Sequence, residues 1–88
     1  MYWVVKRDAS MAGSDGSYNR MEIYSGPYTD DNSAWEEANR LNTQQQNLIW
    51  DESVSKDIRR AAHSARTNYW VLLDEQIQEA RRRGLTIK

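Results

Sequence analysis

Between Pro27 and Gly84 the chain carries neither glycine nor proline. These are the two strongest punctuators of backbone structure, so a stretch of this length without them points to mainly helical structure. The segment before it is different. Residues 2–7, YWVVKR, are aromatic and β-branched, the composition of a strand. Alternation places Trp3 and Val5 on one face and Tyr2, Val4 and Lys6 on the other. Residues 8–19 are rich in the turn formers Gly, Ser, Asp and Asn. A second strand follows over 19–25, with Met21 and Ile23 on one face and Arg20, Glu22 and Tyr24 on the other. The two strands read as a hairpin. Pro27, the only proline, ends it because it has no N–H to give to a ladder.

Within the long stretch, a first helix is expected to begin between Asp31 and Ser33. Ser33 and Glu36 have the spacing of a capping box. Ala34, Ala38, Leu41 and Gln45 share one face, with Trp35 beside it, and the pattern fades near residues 43–47. Leu48, Ile49 and Trp50 read as an apolar connector plugged into the core. Asp51 is a candidate N-cap for a second helix. Its apolar positions run Val54, Ile58, Ala61, Ala65, Tyr69, Leu72, Gln76 and Ala80, at steps of three or four. Arg81, Arg82 and Arg83 suit a last turn, and Gly84 suits a left-handed cap. Residues 85–88, LTIK, read as a short strand.

The triplet Tyr-Trp-Val occurs at 2–4 and again at 69–71. The first copy reads as strand. The second lies in an unbroken helical register, so helix is preferred there and a third strand at 69–73 is the competing reading. The second helix is then continuous over about 52–83 or broken near Thr67 and Asn68. The expected fold is a small single α+β domain over residues 1–88, in the order β-β-α-α-β. The hairpin and the C-terminal strand form one sheet, with two helices packed on one face.

Residues 26–42, GPYTDDNSAWEEANRLN, are similar to a turn-and-helix pattern in many small phage and bacterial proteins. They also resemble part of the peptidoglycan-binding SPOR domain. That likeness implies a turn followed by a helix. SPOR domains repeat a β-α unit and usually sit outside the cytoplasm behind an anchor; neither feature is seen in this sequence, and no function is carried over.

Composition narrows the chemistry. There is no cysteine, which excludes disulfides, thiolate metal sites and a Cys nucleophile. A net charge of −1 argues against a generic DNA binder. His63 is the only histidine, and Ser64 beside it points away along a helix. The acid pairs at 30–31, 36–37, 51–52 and 74–75 are sequence neighbours and diverge on a helix, which makes poor metal clamps. No glycine-rich phosphate loop precedes a helix. The expectation is a protein that is not an enzyme and has no cofactor and no metal. No apolar stretch approaches the roughly 18 residues of a membrane span, and a strand pattern begins at residue 2, so the chain is read as cytoplasmic.

Two surfaces are candidates for binding. On a continuous helix Lys56, Arg59, Arg60, His63 and Arg66 lie opposite the apolar face, and Trp70 and Ile77 continue that outer side. This strip is either a partner site or, if another element covers Trp70, an ordinary polar face. The second candidate is the sheet face left open by helices packed on one side only, around Tyr2 and Tyr24 with Lys6 and Arg20. Tyrosines among cations on a sheet can stack bases, serve a homodimer, or be ordinary half-exposed surface. The four Trp and five Tyr, with no Phe, favour interface work. The functional expectation is a non-catalytic protein-binding module, of the kind carried by phages and mobile elements to inhibit or modulate a host defence or transcription complex. The alternative is a nucleic-acid-binding module using the basic stripe or the aromatic sheet face.

Overall fold

The structure is a computed structural model that describes residues 1–8 and 20–88. The expected turn at residues 9–19 lies outside the described residues. Strands β1 (Tyr2–Arg7) and β2 (Arg20–Tyr28) pair antiparallel as the expected hairpin, but β2 runs on through Pro27 to Tyr28, which pairs with Tyr2, past the end expected at the proline. Helices α1 (Asp31–Trp50) and α2 (Lys56–Ala65) follow. Then come β3 (Asn68–Leu73), α3 (Asp74–Arg82) and the short β4 (Thr86–Ile87). The protein is a small α+β domain with a mixed four-stranded sheet in the order β3-β1-β2-β4.

The expected second helix is split. Arg66 closes α2 in a left-handed conformation, φ 51° and ψ 40°. Two residues later the chain runs antiparallel to β1, from Arg7↔Asn68 to Tyr2↔Leu73. Residues 69–73 are therefore strand, and the helical reading is corrected. The apolar spacing fits both periods locally. The strand wins because a full ladder with β1 is available and α1 covers Tyr69 and Val71.

That insertion changes which faces are buried. Val4, Tyr69 and Val71 pack under Ala34, Ala38 and Leu41 of α1, with Tyr2, Tyr28 and Trp35 around them. On the other face Val5, Ile77 and Ile87 pack with Trp3, Met21, Ile23 and Leu72 under α3. Helices therefore cover both faces of the sheet, and the face expected to be open, with Tyr2 and Val4, is the one beneath α1. Helix α2 packs mainly on α1.

Several local expectations are also revised. Helix α1 continues to Trp50, and Leu48 and Trp50 are exposed rather than plugged into the core. Its N-cap is Asp30, with no side-chain capping bond. The cap of α2 is Ser55, whose hydroxyl accepts from the Ile58 N–H. Asp51 instead forms the interhelical turn, accepting from the backbone N–H and the hydroxyl of Ser53. The C-terminal reading stands: Gly84 has φ 100°, and Thr86–Ile87 pairs parallel with β2.

Candidate functional site

Strand β3 lies at the edge of the sheet, where unpaired peptide groups invite stray pairing. The Asn42 carboxamide on α1 covers part of that edge. It accepts from the Tyr69 N–H at 2.9 Å and donates to the Tyr69 carbonyl at 3.0 Å, in place of a neighbouring strand. One residue on, Trp70 points to the α3 side of the sheet. Trp35, from the α1 side, reaches round the edge and meets it edge-to-face, with centroids 4.8 Å apart. The Trp70 indole nevertheless stays 56% exposed, because α3 passes over Trp3 and Ile23 and leaves this corner uncovered. There Trp70, Leu72, Val5 and Met21 line an apolar notch of about 300 Å³, with Arg7 and Asn68 at its rim.

A second concavity, of about 340 Å³, lies between the C-terminal half of α1 and the α2–β3 turn. His63, Arg66, Thr67 and Asn68 line one side, and Asn42, Gln45, Gln46 and Ile49 the other. Its lining contains no carboxylate. Asn68 borders both concavities, so they adjoin at the start of β3. Arg66 holds a conformation that L-residues adopt at a cost of about 1 kcal/mol and glycine adopts freely.

Two groups of cations differ in how they are engaged. Arg40 pairs with Glu37, and Arg82 and Arg83 both pair with Glu79. These contacts hold the Glu37 and Glu79 carboxyls below their ordinary range. Arg81 donates to the Ile87 carbonyl at 2.7 Å, closing the β4 edge. The arginine triplet is thus engaged within the fold. By contrast, Lys56, Arg59, Arg60 and Arg66 form no ion pair among the described residues. The Arg59 Nε is buried without a hydrogen-bond partner. The charge of Arg59 acts on Asp51. Hydrogen bonds from Ser53 lower its pKa first, and Arg59 lowers it further.

The expected site residues separate accordingly. His63 and Arg66 meet in the α1–α2 groove, and Arg59 stays on the half-exposed side of α2. Trp70 lies across Asn68 in the apolar notch. Ile77 is corrected to core, 3% exposed on the sheet-facing side of α3, because the helical register restarts at Asp74 after the strand. Tyr2 is half-buried against the α1 core, which removes it from an open platform. Tyr24 remains exposed at an irregularity of β2 and packs edge-to-face on Tyr69. Sequence reasoning missed Trp35, Gln46 and Trp50. For Trp50 a signal existed: Gln46 precedes it by four residues, and its indole donates to the Gln46 Oε1 at 3.0 Å. The contact of Trp35 with β3 had no signal in the sequence.

Among the described residues, no group of three or more His, Cys, Asp or Glu side chains is placed to hold a metal ion. No helix among them is long and apolar enough to cross a membrane. Comparison with protein-family models, with curated proteins and with solved structures found no match.

Proposed function

We propose that this protein is a non-catalytic binding module that docks a protein partner through the Trp70 notch in the cytoplasm. The observation that carries the reading is a more than half-exposed indole pinned edge-to-face by a second indole above an apolar concavity. A rigid aromatic anchor loses little freedom on binding, and exposed Trp beside a pocket has hot-spot composition. The partner would place an apolar side chain in the notch. A compact inhibitor or modulator of a host complex is the role that suits such a module.

The test is affinity capture with the wild-type protein and Trp70→Ala, both with and without nuclease. A stoichiometric protein retained by the wild type after nuclease, and lost by Trp70→Ala, is the expected outcome. Equal retention by both, or no stoichiometric protein at all, removes the notch from consideration. A second reading, nucleic-acid binding, is favoured by a different observation: none of the cations at Lys56, Arg59, Arg60 and Arg66 is neutralised by an ion pair among the described residues.

A further inference from the structure

We propose that the groove between α1 and the α2–β3 turn binds single-stranded nucleic acid, with a phosphate against Arg66, His63 and the Gln46 amide, and a base against Trp50. The inference deepens the nucleic-acid reading and rests on it; it does not depend on the Trp70 notch.

The donors are placed by the fold. An indole N–H can only donate, so the hydrogen bond from Trp50 fixes the Gln46 carboxamide with its oxygen toward the indole. The Gln46 NH₂ is left with no acceptor among the described residues. It lines the same groove as Arg66 and His63. Gln45 is fixed the opposite way, because its NH₂ donates to the Ala62 carbonyl at 3.3 Å. Its oxygen remains as an acceptor for a base edge or sugar hydroxyl.

Charge and exposure point to the same ligand. Residues 56–66 hold four Lys or Arg and one Asp, a net of +3 in a chain whose total is −1. Asp51 and Glu52 follow Trp50 directly, with Asp51 engaged by Ser53, while the acids on α1 at Glu36 and Glu37 lie nine or more residues before Gln46. At the helical rise that is roughly 14 Å, beyond the screening length of about 8 Å at physiological salt. Trp50 is 73% exposed, the most exposed large apolar side chain among the described residues, and is steadied by its bond to a groove residue. A flat, accessible indole beside a cationic groove is the arrangement that stacks an unpaired base. An acidic peptide would use the cations and leave the indole idle, and a duplex offers no unpaired base.

Arg66 supplies independent support. Strained residues persist where the surrounding structure holds them, often at sites of function. Glycine at position 66 would relieve the backbone and remove the guanidinium, so Arg66→Gly separates binding from folding.

The experiment is fluorescence anisotropy of labelled single-stranded and duplex oligonucleotides at 50 and 200 mM salt. It compares the wild type with Arg66→Gly and Trp50→Ala, each checked by a thermal melt. Expected are tighter binding to the single strand than to the duplex, and a steep loss of affinity with salt. Arg66→Gly should melt no lower than the wild type, bind about tenfold more weakly, and lower the salt slope by roughly one. Trp50→Ala should also bind about tenfold more weakly. Binding to no nucleic acid at low salt overturns the whole nucleic-acid reading. Binding that both folded variants retain overturns the groove alone and leaves the remaining α2 cations as the contact. Equal affinity for the duplex, or equal competition by polyglutamate, overturns single-strand recognition.

Discussion

Trp3 and Trp70 occupy the same place in two copies of Tyr-Trp-Val, on neighbouring strands and on the same face of one sheet. Their surroundings differ completely. The Trp3 indole packs under α3, donates its N–H to Asp74 at the start of that helix, and lies against Gly26. Trp70 pairs across from Val5, nearer the opposite end of β1, where α3 no longer covers the sheet. Antiparallel pairing places one copy beneath the start of the helix and the other beyond its cover. Pairing with β1 makes the second copy a strand like the first, and the path of α3 chose which indole is core and which is free.

The strongest way to break this comparison is to remove each indole in turn. Trp3→Ala should lower stability by about 3 kcal/mol in chemical denaturation, as expected for truncating a packed tryptophan. A loss no greater than that for Trp70→Ala would show that the two indoles are equivalent.

Gly26 tests the bed on which Trp3 lies. Its φ is 132°, and an added Cβ would stand 2.8 Å from the Trp3 ring and 3.1 Å from the Tyr2 carbonyl. Gly26→Ala should cost about 2 kcal/mol from strain and overpacking together. An unchanged denaturation midpoint would mean that Trp3 is not held this closely.

Trp70→Ala should cost only about 1 kcal/mol, the scale of one aromatic pair, since the indole is mainly in solvent. Affinity for a protein partner should fall by about 2 kcal/mol or more if the notch is its dock. Stability and binding read from the same variant separate a covered side chain from a functional one.

The smallest effect concerns Asp74, whose carboxyl is held below its ordinary value chiefly by the hydrogen bond from Trp3. A lowered folded-state pKa favours folding when the carboxylate is ionised. That contribution is present above the ordinary value of 3.8 and is lost as pH falls through the lower folded value. The melting temperature of Asp74→Asn should therefore lie below wild type at neutral pH and converge with it in acid. A constant gap at all pH values would assign the effect to packing instead of charge.

Much of the architecture was legible in the residues themselves. The alternation of YWVVKR, the helical spacing of Ala34, Ala38 and Leu41, and the cap at Gly84 are each patterns written within a few residues. The site was legible only in part. His63 and Arg66 do face a common groove, but Gln46 and Trp50, on its far wall or beside it, come from another helix.

What the sequence alone determined was a set of local periods and breaks: a hairpin, an amphipathic first helix, a cationic segment at 56–66 and a glycine-capped end. It could not decide residues 68–73, where helical and strand spacings coincide for apolar side chains. Only the tertiary structure resolved that ambiguity, because β1 supplies six strand partners and Asn42 satisfies the Tyr69 peptide on the other side. Once that segment became a strand, α3 had to restart on the opposite face. That restart buried Ile77 between α3 and the sheet and left Trp70 outside the helix's cover. Both outcomes rest on contacts distant in sequence, which no local pattern encodes.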